Sequence, residues 1–135
     1  MTPFTLDIAC QISEDQRLLN GSRVLELEGT AGGYSLTLAL VQPKEPEAPI
    51  VEGDLSLTGS EGELFASIES GRISAVVDDI SGIELEALDL RLQIEGGEGA
   101  YAGTQGTVRL LGVLAGGEVD LQVQIEQTPP DSSRT

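Results

Sequence analysis

A chain of 135 residues, 39% of them hydrophobic, can bury one core and is not a disordered polymer. Its 23 acidic residues against 7 basic ones leave a formal net charge of −16, a surface that repels phosphate backbones and anionic lipid, so neither nucleic acid nor membrane is an expected partner. With no histidine and one cysteine, Cys10, the chain has no Ser-His-Asp or Cys-His arrangement, no intrachain disulfide and no multi-cysteine zinc site.

Taken from the start, period-2 alternation recurs almost throughout. Phe4, Leu6, Ile8, Cys10 and Ile12 alternate with polar or small residues and predict a half-buried strand. Asn20-Gly21 marks a turn, after which Arg23, Leu25 and Leu27 share one face. Gly32-Gly33 separates that strand from the next, where Tyr34, Leu36, Leu38 and Leu40 align. Gln42 to Pro49 carries three prolines and reads as an exposed connection, because proline cannot donate to a ladder.

Beyond it, Val51, Gly53, Leu55 and Leu57 predict a strand, followed by Leu64, Ala66 and Ile68. Ser70-Gly71 reads as a break before Ile73, Ala75 and Val77, and Asp78-Asp79 with Ser81-Gly82 as another. The stretch Gly82 to Leu90 has partly helical spacing, but strand alternation takes over from Leu88 through Leu90, Leu92 and Ile94. Glycine-rich residues Gly96 to Gly106 follow, then an apolar run from Thr107 to Ala115 and a last alternating strand with Val119, Leu121, Val123 and Ile125. The expected organisation is a single domain over residues 1–127 with a polar tail over 128–135.

Short strands punctuated by turns predict an all-β fold, a small antiparallel β-barrel of about eight strands, since closure removes exposed edges. Aromatics are only 3%, so Leu, Ile, Val and Ala must build the interior, and their modest size leans towards an unfilled lumen. The segment lacks a basic-then-apolar start, which makes a cytoplasmic location the default expectation.

The segment Ile94-Glu95-Gly96-Gly97-Glu98-Gly99-Ala100-Tyr101-Ala102-Gly103-Thr104-Gln105-Gly106-Thr107 resembles the GGTG-(R/A)-(F/Y)-x-G-x-x-G signature of the dirigent and allene-oxide-cyclase-like barrel superfamily. It is closest in kind to the segment of bacterial spirotetronate cyclases, which carry out intramolecular 4+2 cycloadditions of Diels-Alder type. The likeness covers the strand from Leu88, this turn and the strand from Thr107. It implies a calycin-like antiparallel barrel with an apolar lumen, often assembled as a dimer or trimer. Physically, Gly97, Gly99, Gly103 and Gly106 allow a sharp reversal at a barrel end, with Tyr101 as its plug. A phosphate cradle is the poorer reading, because Glu98 stands where an anion would sit.

Candidate binding residues follow from the apolar register. Leu6, Ile8, Leu36, Leu38, Leu90 and Leu92 would line the interior, with Cys10 among them as a small hydrophobe or a substrate contact. Tyr34 and Arg23 each head an apolar face and are expected at one mouth, either as anchors for a polar ligand group or as side chains reaching solvent. Outward apolar residues, among them Phe65, Leu111, Val113, Ala39 and Val41, suggest a homo-oligomer contact or register-switching bulges. No metal site or cofactor is expected: carboxylates are plentiful, but the calcium-loop spacing is missing. The resemblance implies a cofactor-independent cyclase or isomerase acting on an apolar polyketide-like intermediate; the alternative is a non-catalytic barrel that binds a hydrophobic small molecule, or a domain with a packed interior.

Overall fold

In a computed structural model, which describes residues 2–45, 48–99 and 101–128, the chain is a closed barrel of antiparallel strands. The strands are β1 (Thr2–Arg17), β2 (Arg23–Ala31), β3 (Tyr34–Gln42), β4 (Glu52–Gly59), β5 (Gly62–Val77), β6 (Glu84–Gly99), β7 (Gln105–Ala115) and β8 (Glu118–Thr128). Each pairs with the next in sequence, and β1 pairs with β8 from Thr2↔Gln127 to Gln11↔Glu118. This is the antiparallel barrel that the alternating pattern predicts. Residues 129–135, most of the expected polar tail, lie outside the described residues, as do Pro46 and Glu47 in the proline-rich connection and Ala100 in the glycine-rich turn.

Alternation explains the core directly. One face of each strand points into the barrel, and that face carries Leu25, Leu27, Leu36, Leu38, Leu90, Leu92, Leu110 and Val123, each no more than 1% exposed. Burying a side chain of this size stabilises the fold by ~1.5–3 kcal/mol. The interior is occupied by an interlocking set of Leu, Ile and Val, reaching from Ile8 and Val119 at β1 and β8 to Leu55 and Leu64 at β4 and β5. The lean towards a vacant lumen is therefore corrected. In a barrel of eight strands, side chains of leucine size suffice to fill the space, and large aromatics are not required.

Two further expectations change. The break at Ser70-Gly71 is instead the middle of β5, a strand of 16 residues. Register shifts between Ile68 and Ser70, so Glu69 is an unpaired insertion that moves the inward set from Leu64, Ala66 and Ile68 to Gly71 and Ile73. The glycine-rich stretch is likewise strand as far as Gly99, which pairs with Gly62. A local change of phase looks like a chain break when only sequence periodicity is visible.

A core variant separates burial from surface effects. Leu38→Ala is expected to lower unfolding free energy by about 2–5 kcal/mol in urea titration. Leu19→Ala, at a fully exposed turn position, is expected to change it by less than about 0.5 kcal/mol.

Candidate functional site

Because neighbouring strands run in opposite directions, Arg23 at the start of β2 and Tyr34 at the start of β3 stand at opposite ends of the barrel. The expectation that both residues share one mouth is corrected by this up-and-down order. Each end has its own cluster. The Arg23 end carries the turn at 18–22, the described parts of the connection before β4 (43–45 and 48–51), the hairpin turn at 78–83 and Gly116-Gly117. The Tyr34 end carries Gly32-Gly33, Ser60-Glu61 and the turn that contains Tyr101.

Arg23 is 8% exposed, low for an arginine at a strand end, and its guanidinium is shared between strands across the mouth. Its Nε donates to Asp15 Oδ1 at 2.8 Å and its Nη2 to Asp15 Oδ2 at 2.8 Å, a two-pronged pairing with β1. Its Nη1 and Nη2 donate to Glu86 Oε2 and Oε1 on β6 at 2.6 and 3.1 Å, and Nη1 also reaches Gln42 Oε1 on β3 at 3.5 Å. The hydrogen bond from Arg23 holds the Asp15 carboxyl below its usual range, against the opposing effect of burial. The same bond, foremost, keeps the guanidinium charged.

These partners reach the mouth for different reasons. Ile12 pairs with Leu27 but Glu14 pairs with Glu26, so Ser13 is a bulge in β1. Without that inserted residue, Asp15 would fall on the outer face; with it, Asp15 pairs with Leu25 and joins the inward register. Glu86 continues the inward set of Leu88, Leu90, Leu92 and Ile94 by one further step. Extending that alternation backwards from Leu88 identifies Glu86; no sequence signal marks the Ser13 bulge, so Asp15 is not identifiable that way.

Beside the clamp lies a cleft of about 270 Å³ whose lining includes Ile12, Asp15, Arg23, Ile83, Leu85, Glu86 and Leu114. Apolar side chains from β1, β6, β7 and the hairpin turn thus surround a charged centre. Arg23 is occupied by its partners, while the side chains of Asp15 and Glu86 are 42% and 40% exposed and retain accepting capacity. The chemistry the cleft offers is a mixed lining in which Ile12, Ile83, Leu85 and Leu114 stand beside the fixed acceptors of Asp15 and Glu86. Wider grooves, such as one of about 670 Å³ bordered by Val24, Ala39, Val41 and Val51, lie on the outer wall and hold no comparable buried charge.

At the other end, Tyr34 and Tyr101 are half-buried against the core, their hydroxyl oxygens 3.3 Å apart. The Tyr34 hydroxyl and then desolvation push the Tyr101 phenol up to about 12. The turn between them and β7 depends on glycine: a Cβ at Gly97 would stand 2.6 Å from the carbonyl oxygens of Glu63 and Tyr101, and Gly99 has φ of 65°. Gly103 and Gly106 also have positive φ, and Thr104 N–H donates to the Tyr101 carbonyl at 3.1 Å to close the turn.

The remaining candidates lie within the filled interior. Ile8, Leu36, Leu38, Leu90 and Leu92 are buried together, with Leu6 partly buried against them. Cys10 is 2% exposed, and burial followed by the Asp120 charge raises its thiol to about 11, which keeps it a thiol at neutral pH. Its Sγ lies 3.8 Å from the Ile8 carbonyl oxygen. Among the described residues, no three His, Cys, Asp or Glu side chains form a metal-holding group, and no helix is long and apolar enough to cross a membrane.

No protein-family model and no curated protein matches this sequence. Among solved structures, the barrel is similar to one described as pyocyanin demethylase, with a TM-score of 0.55 and 14% identity over 93% of this chain and 100% of that one. At that identity the likeness is one of fold.

Both clusters give measurable signatures. Asp15 has a folded pKa below its unfolded value of about 3.9, so its contribution is complete above that value and is lost as pH falls through the folded pKa. Arg23→Met is therefore expected to lower the urea midpoint more at about pH 7, where the Asp15 contribution is complete, than at about pH 3, where it is partly lost; an equal loss at both would contradict the clamp. In Tyr34→Phe, Tyr101 becomes the sole tyrosine, and alkaline ultraviolet titration should give a midpoint nearer the ordinary value of about 10 than 12.

Proposed function

We propose that this protein is an enzyme of secondary metabolism that binds a small, largely apolar molecule at the Arg23 mouth and folds it into a reactive conformer. The observation that carries this reading is the cleft in which Ile12, Ile83 and Leu114 surround Arg23, fixed between Asp15 and Glu86. The ligand's polar handle is then a donor, such as a hydroxyl or protonated amine, received by the accepting carboxylates. The net charge of −16 also favours neutral or cationic ligands over anions.

The reaction that best suits these residues is a unimolecular cyclisation or isomerisation, in its most specific form an intramolecular 4+2 cycloaddition of Diels-Alder type on a polyketide-like intermediate. Such a step forms and breaks bonds within one substrate and needs no nucleophile or base from the protein. The rate gain comes from holding the two reacting segments in a near-attack arrangement, each ~1.4 kcal/mol off the barrier being a factor of about ten. The segment around Tyr101, similar to that of spirotetronate cyclases, supports this form of the reading. The structural neighbour is named for action on a small molecule, which agrees with an enzymatic use of such a barrel. A cytoplasmic setting, where a free thiol such as Cys10 stays reduced, completes the proposal.

Incubation with a linear polyene bearing a terminal hydroxyl or amine tests it. The expected product has unchanged mass and a new ring, and Glu86→Gln should reduce its rate of formation about tenfold while Tyr34→Phe, at the other end, leaves it unchanged. Binding without any product would favour the non-catalytic carrier. Product formation that Tyr34→Phe abolishes and Glu86→Gln spares would move the site to the opposite mouth.

A further inference from the structure

Ten positions of β5, from Ile68 to Val77, lack a β4 partner on one side. Its pairing with β4 ends at Ser67, opposite Asp54, while its pairing with β6 continues to Val77. The connection before β4 gives one additional bond, from Ile50 N–H to the Gly71 carbonyl at 2.7 Å. That bond shows which way the backbone points. Gly71 faces the free side, so two-residue periodicity turns the N–H and C=O of Ile73, Ala75 and Val77 the same way. Asp78 N–H donates to Ile83 on the β6 side, in keeping with that alternation. Among the described residues, no backbone bond satisfies the Ile73–Val77 edge from its open side.

The edge is also apolar. Val77 is 63% exposed and Val76 39%, and the adjoining turn exposes Ile80 at 97% and Ile83 at 59%. An open strand with branched apolar side chains is a pairing template.

We propose that this edge pairs with the same edge of a second copy, antiparallel and about a two-fold axis at Ala75, so that β5 of both protomers forms one continuous ladder. Three independent constraints select this register. The backbone alternation requires residues facing the edge to meet residues facing the edge, which places the axis on a residue and not between two. Ile50 already occupies the position opposite Gly71, so a register centred on Ser74, which would seat the partner there in full extension, is blocked. Centring on Ala75 places Arg72 opposite Asp78 of the other copy, whereas centring on Val76 sets Arg72 against the exposed apolar Ile80.

Arg72 and Asp78 suit that role. Arg72 is exposed and forms no salt bridge among the described residues. The Ile80 N–H donates to Asp78 Oδ1 at 2.9 Å, and this bond, with the Ser81 hydroxyl, orients the carboxylate and holds it below its usual range, so it stays charged. In the paired state Ile73 meets Val77 across the axis on one face and Ser74 meets Val76 on the other. Two cation–anion pairs, related by symmetry, oppose the mutual repulsion of two strongly acidic protomers.

Light scattering on the full chain at near-physiological salt should give a dimer mass. Ala75→Pro removes one edge-facing N–H that the barrel does not use, so it should yield a folded monomer. Arg72→Asp should also be monomeric, and Arg72→Asp with Asp78→Arg should recover the dimer. A wild-type protein that is still monomeric at about 100 μM overturns the proposal. So does a folded Ala75→Pro variant that remains dimeric. Should Ala75→Pro fail to fold, the charge pair decides: restoration by the double reversal supports the register, and its failure with both chains folded refutes it.

Discussion

Everything in this molecule depends on the ladder between β1 and β8. By joining the first strand to the last it turns a meander into a ring, and a ring has an inside that water does not share. Ile8 opposite Leu121 and Cys10 opposite Val119 lie on this seam, so the ladder that closes the barrel also supplies part of its core. Without that pairing, β1 and β8 would be open edges and the inward leucines would face solvent.

A closed and filled interior has a consequence for chemistry. Polar groups inside it would forfeit hydration with no partner, so charge is admitted only at the ends, where strands stop and a partner can be brought across the opening. Arg23, Asp15 and Glu86 meet this condition at one end, and the Tyr34–Tyr101 pair meets a milder version at the other. The clamp crosses the opening from β2 to β6, tying together strands that share no backbone ladder.

Much of the fold is legible in the sequence because the physical signal repeats. Leu36, Leu38 and Leu40 are a half-buried strand by alternation alone, and so are Leu88 to Ile94. What alternation cannot reveal is a change of phase. The insertions at Ser13 and Glu69 each move later residues to the other face, and in sequence the first is invisible while the second imitates a turn. The same limit hides Asp15, half of the clamp. Arg23 stands out as a charge in an apolar register, but its separation from Tyr34 depends on strand direction, which follows only once the order of pairing is known. Whether leucines fill a lumen depends on strand number and closure, beyond any count of aromatic residues.

On the proposed function, the filled interior serves as a scaffold and the ligand is met at the Arg23 end. Amide chemical-shift mapping during titration with an apolar polyene alcohol tests that division most directly. Shifts are expected at Ile12, Asp15, Ile83, Glu86 and Leu114, with Leu38, Leu90 and Leu92 unmoved. Shifts centred on those interior leucines would mean that the ligand enters the lumen, and would contradict that division.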